Sequence, residues 1–134
     1  MEKELLNPPG LYKHPAFTRI VTVRGPCKMI FISGQTPSDE NYQAVAPGDY
    51  RTQYLTVMDA LTTQLKAAGA TWEDVVFRRI YVLDMDEMMK VWTDPTIKIP
   101  GHRVSSTAST LVGVTRLTNP DFLIEVDLLA IVDS

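Results

Sequence analysis

One stretch of the chain constrains its architecture more than any other. In RTQYLTVMDALTTQLKAAG, the residues Tyr54, Val57, Met58, Leu61, Leu65 and Ala68 recur at steps of three and four, which draws a single apolar stripe along a helix of about five turns. Asp49 stands where an N-cap belongs, and Gly69 where a left-handed C-cap belongs. Only one other helical pattern exists, a short one from Asp86 through Met88, Met89 and Trp92, closed by Pro95 and Pro100. Everything else with a period alternates in twos. Strands are predicted over Phe17 to Val23 (FTRIVTV), Met29 to Ser33 (MIFIS), Val75 to Leu83 (VVFRRIYVL), Thr110 to Leu117 and Leu123 to Val132. The turn at Arg24-Gly25-Pro26-Cys27-Lys28 suggests a hairpin between the first two, Thr71 to Asp74 has capping-box spacing, and Thr118-Asn119-Pro120-Asp121 joins the last two.

This order, ββαβαββ, predicts an α+β two-layer sandwich. One long and one short helix can cover only one face of such a sheet, yet MIFIS and IYVL are apolar on both faces. An uncovered apolar sheet face marks association, so an oligomer with small-molecule clefts between its copies is expected. The first twelve residues, with Asn7-Pro8-Pro9-Gly10, read as an extended or flexible lead-in to a single domain spanning 1–134.

Composition removes several function classes. A chain of 134 residues is one domain with enough interior for a core of its own. Cys27, His14 and His102 are too scattered for a metal site, and a lone Cys suits a reducing cytoplasmic compartment. Thirteen bases against sixteen acids, with no basic run, leave no electrostatic footprint for nucleic acid. No apolar run is long enough to span a bilayer, and MEKELLNPPG lacks the apolar core of a signal peptide.

Five blocks, in order, resemble the Rid superfamily (YjgF-type): FISGQTP at 31–37, Gly48-Asp49 before the long helix, LKAAGATWEDVV at 65–76, LDM at 83–85, and STLVGVTRL with IEVDLLAIV at 109–132. The resemblance implies a fold like that of the small chorismate mutases and a homotrimer whose sheets form an inner barrel. It also implies cofactor-free hydrolysis (deamination) of reactive imines or enamines, such as 2-aminoacrylate, in intersubunit clefts. Some relatives have been described as endoribonucleases, a description the charge balance here does not support.

Carried over residue by residue, the resemblance maps the family's substrate-binding Arg onto Ser109, its backbone donors onto Gly34 and Leu111, its water-handling Glu onto Glu125, and its first-strand aromatic onto Phe17. Gln35 follows Gly34 in the same turn. Ser109 is the departure, because a neutral hydroxyl does not replace a forked cation. Either the substrate differs from 2-aminoacrylate and is neutral, or another cation holds its anion, with Arg19, Arg103 and Arg79 as candidates. Catalytic roles fall to Glu125 and Ser109, and substrate contacts to Phe17, Arg19, Gly34, Gln35, Leu111 and Arg103. Imine hydrolysis needs a water delivered to carbon and a proton delivered to nitrogen, and one carboxyl group of raised pKa can serve both steps. The alternative is a ligand-binding or regulatory trimer that has lost the activity. Arg78 and Arg79, being adjacent on a strand, point to opposite faces.

Overall fold

The structure, a computed structural model, describes residues 1–134. Its elements are β1 (Glu2–Leu6), β2 (Ile20–Arg24), β3 (Cys27–Gln35), α1 (Tyr50–Ala67), a 3-10 turn (Trp72–Asp74), β4 (Val75–Val82), α2 (Met85–Trp92), β5 (Ala108–Gly113) and β6 (Ile124–Asp133). The fold is the expected α+β sandwich: both helices pack on one face of a four-stranded sheet ordered β3-β6-β4-β5, in which only β4 and β5 run parallel.

The long helix forms as its stripe requires. Tyr54, Val57, Met58, Leu61 and Leu65 are all buried against the sheet. Asp49 accepts from the Thr52 amide at 3.0 Å, and Gly69 takes φ +81° just past the end. The second helix starts one residue earlier than its pattern suggests, because Asp84 is the cap that accepts from the Glu87 amide at 3.1 Å. The Thr71–Asp74 box closes through the Thr71 amide on the Asp74 carboxylate at 2.7 Å.

Four strand expectations are corrected. The lead-in is a strand: β1 pairs antiparallel with β2 over Glu2↔Arg24 to Leu6↔Ile20, outside the four-stranded sheet. The hairpin between β2 and β3 is therefore replaced by a β1–β2 ladder, since a period-2 pattern specifies a strand without specifying its neighbour. Phe17 to Arg19 precede β2, and Thr18 is held in irregular chain by its amide on the Thr107 carbonyl (2.9 Å) and its hydroxyl on the Ser105 carbonyl (2.7 Å). Finally, β5 ends at Gly113, because its ladder exists only where it lies beside β4.

The other face of the sheet carries no helix. Phe31 is 74% exposed there and Met29 52%, two large apolar side chains of one strand left open on the same face.

Candidate active site

Register along the sheet sorts the candidate residues. Arg78 pairs with Ser109 and Ile80 with Leu111, so these four share the helix-covered face with Val126 and Leu128. Tyr81 pairs with Glu125 and Arg79 with Asp127, so these four share the open face. Glu125 and Ser109 are therefore on opposite sides of one sheet, and a single chain does not bring them together.

On the helix-covered side, at the β5 edge, lies a cleft of about 530 Å³. Phe17, Arg103, Ser109 and Leu111 line it, as the sequence suggested, together with Arg78, Trp92, Met85 and Met89. Phe17 is set by stacking on His14, with ring centroids 4.5 Å apart, and the His14 Nδ1 accepts from the Ala16 amide at 3.0 Å. Arg19 stays outside: it is exposed, and its Nε donates to the Tyr12 carbonyl at 2.9 Å. Arg79 is also excluded as the cleft's cation, since its Nε donates to Asp127 at 2.9 Å on the other face.

Besides Arg103, the cation that lines the cleft is Arg78, 3% exposed. Its Nε donates to Ser109 Oγ (3.0 Å), its Nη1 to the Val104 carbonyl (3.0 Å) and its Nη2 to the Ala16 carbonyl (2.8 Å). Its guanidinium lies 5.2 Å from the centre of the Trp92 ring, an aromatic platform for a cation. Burial lowers its pKa to about 10, which leaves it charged at neutral pH. A signal for it was present in VVFRRIYVL: Arg78 shares parity with Ile80 and Val82, the core-facing residues of an apolar strand.

Behind this wall sits an aromatic group that positions it. The hydroxyl of buried Tyr54 lies 2.7 Å from His102 Nδ1, and both rings meet Trp92 edge to face. Burial, reinforced by Arg103, lowers the His102 pKa, so at neutral pH the ring is uncharged. His102 is thus a structural partner of Tyr54.

On the open side, Glu125 and Gly34 meet. A Cβ added at Gly34 would fall 2.0 Å from Glu125 Oε2, so only glycine lets the carboxylate rest on the β3 backbone. The register of β3 against β6 slips between Ile32 and Gln35, a bulge that holds Gly34 in this place. Burial first, and the Asp127 carboxylate second, raise the Glu125 pKa above its ordinary value. A second hollow of about 410 Å³ opens next to it, lined by Phe31, Ser33, Gly34, Arg79 and Asp127. Gln35 joins neither site: its side chain donates to the Thr36 carbonyl and accepts from Gln64 on α1 at 2.7 Å. No group of three or more His, Cys, Asp or Glu side chains converges anywhere.

The family model described as endoribonuclease L-PSP matches residues 13–132. A RutC family protein of Pyrococcus horikoshii is 32% identical over 101 residues, 75% of this chain and 77% of that one. The 3-aminoacrylate deaminase RutC of Acinetobacter baylyi is 31% identical over 84 residues, 63% of this chain and 65% of the relative. Among solved structures, the Rid family protein YyfB of Yersinia pestis superposes with a TM-score of 0.79 at 27% identity, covering 98% of this chain and 100% of that one. The YjgF gene product of E. coli does so with a TM-score of 0.57 at 26% identity, covering 76% and 79%.

Proposed function

The chain belongs to the Rid (YjgF-type) family, and from that premise we propose that it hydrolyses a small reactive imine or enamine to a carbonyl compound and ammonia, without a cofactor, in clefts between copies of itself. The observation that carries this reading is the seat of Glu125: a half-buried carboxyl group of raised pKa held against a glycine at a strand bulge. An ionised Glu125 takes a proton from the water that attacks the imine carbon. The same carboxyl then delivers a proton to the departing nitrogen. For an iminium ion the step balances as C=NH2⁺ plus water giving C=O plus ammonium.

The split of candidate residues between two faces supports a site made by two copies. One would contribute the cleft of Phe17, Ser109 and Leu111, and the next would contribute Gly34 and Glu125 from its open face. Exposed Phe31 and Met29 give that face the apolar surface an assembly buries. The homotrimer of the resemblance, in a reducing cytoplasm where Cys27 stays a thiol, is part of this proposal. Ser109 in place of the family's Arg favours the second reading, a trimer that binds its ligand without turning it over. The endoribonuclease description of the matching family finds no basic surface run in a chain of net charge -3.

The test is ammonia release from imines generated in place by an amino-acid oxidase, with the mass read in parallel by light scattering. A mass near three copies of the 15.0 kDa chain and a release rate well above the spontaneous one are expected. A monomer mass, or no acceleration with any imine while ligands still bind the cleft, would overturn the hydrolase reading.

A further inference from the structure

Arg78 is a buried charge without a counter-charge. The chain's four ion pairs involve Met1 with Asp133, Arg51 with Asp94, Arg79 with Asp127 and Lys90 with Glu87, and none reaches Arg78. Its three partners are two carbonyls and a hydroxyl, all neutral. A guanidinium has five N–H donors, so one N–H on each terminal nitrogen is left over. A charge placed in an apolar interior is costly to keep unless an anion meets it. Here the guanidinium lines a cleft whose other walls include Phe17, Trp92, Met85, Met89 and Leu111, with His14, Thr93 and Arg103 among the polar side chains beside them.

We propose that this cleft takes a small carboxylate ion with an apolar or aromatic body, and that Arg78 is the residue that selects it. The two oxygens of the carboxylate accept from the two remaining N–H groups, the bidentate match that suits a guanidinium. Ser109 is the cross-strand partner of Arg78 and accepts from its Nε. It therefore acts as a positioning residue that holds the plane of the guanidinium rather than as a replacement for a cation. Arg103, exposed at the edge of the cleft, adds positive potential at the entrance. The apolar walls receive the rest of the molecule. For the proposed reaction this makes Arg78, from β4, the residue that holds the substrate's carboxylate, a step that rests on the cleft being the substrate site.

Calorimetric titration of the intact protein with phenylacetate and with phenylacetamide tests the selection without any turnover. The two probes share a body and differ in charge. Wild type is expected to bind the acid about tenfold tighter than the amide or better, the scale of a charge-assisted pair. In Arg78→Gln that ratio should fall to about one. Ser109→Asp, which gives the guanidinium an internal counter-charge and spares its carbonyl bonds, should remove the preference while amide binding survives. A melting curve accompanies each variant. Should Arg78→Gln fail to fold, wild type and Ser109→Asp decide. Equal binding of both probes by wild type, binding of neither, or a preference that survives Ser109→Asp would overturn the proposal. If Arg78 only clasped β4 to its neighbouring loops, both probes would weaken together and the ratio would stay. A wild type that prefers the acid yet releases no ammonia would sink the hydrolase reading and leave this one standing.

Discussion

Glu125→Gln is expected to lower kcat/KM for imine hydrolysis by about 10²- to 10⁴-fold, the usual contribution of a positioned acid–base group, and at the same time to raise the melting temperature at neutral pH. Both effects come from one cause. Burial and Asp127 raise the Glu125 pKa in the folded chain, so the fold binds that proton more tightly than the unfolded chain does. The stability this contributes is complete below the unfolded pKa and is lost as pH rises through the folded one. At neutral pH the ionised carboxylate therefore weighs against the fold, and an uncharged amide of the same shape does not. The melting difference between variant and wild type should shrink as pH is lowered into the range where Glu125 is protonated. In wild type, the acid limb of the rate profile should lie above the ordinary carboxylate value, since water activation needs the ionised form. Loss of rate with a lower melting point would mean that Glu125 is chiefly structural. A rate within threefold of wild type would remove it from the chemistry.

The largest stability effect is expected at Gly101. This residue has φ +85°, and an added Cβ would fall 2.3 to 2.6 Å from three atoms of the Trp72 ring. The ring has no room to retreat: it is 7% exposed, and its Nε1 donates to Thr62 at 2.9 Å. Gly101→Ala combines a left-handed backbone cost of about 1–2 kcal/mol with overpacking of about 1–3 kcal/mol. For a domain of this size that lowers the melting temperature by roughly 10–20 °C. Gly48→Ala is the internal control, since Gly48 has φ +81° with nothing within 4 Å of its added Cβ. Only the backbone cost should appear there. Equal losses at the two sites would show that the Trp72 ring yields.

Gly101 matters to the site because it belongs to the irregular run that brings Arg103 and the Val104 carbonyl to the cleft. That run was visible in the sequence only as a gap between Pro95 and β5. Local signals were legible: the stripe of α1, the Asp49 cap, the Thr71 box and the alternation of β6 each depend on residues a few positions apart. Pairing was not, because β2 could have paired with β3 or with β1, and nothing in its own period chooses. The site shows the same division. Glu125 and Gly34 were found from the resemblance, and their contact is visible only in three dimensions. Alternation alone separates Arg78 from Arg79. What it could not supply was that Arg78 lies opposite Ser109, since a parallel β4–β5 register is fixed by residues some thirty positions apart.

The central claim is that cleft and carboxylate work together from different copies of the chain, and mixing variants tests it directly. Glu125→Gln lacks the carboxylate, and Leu111→Trp fills the cleft with a large ring. Each alone should be inactive toward the imine. Co-refolded in equal amounts, they form assemblies in which about one site in four pairs an intact cleft with an intact Glu125, given random association of copies. Recovery of about a quarter of the wild-type rate is the predicted result. A mixture no more active than its parents would contradict the shared site, since a site within one chain has no intact copy in either variant.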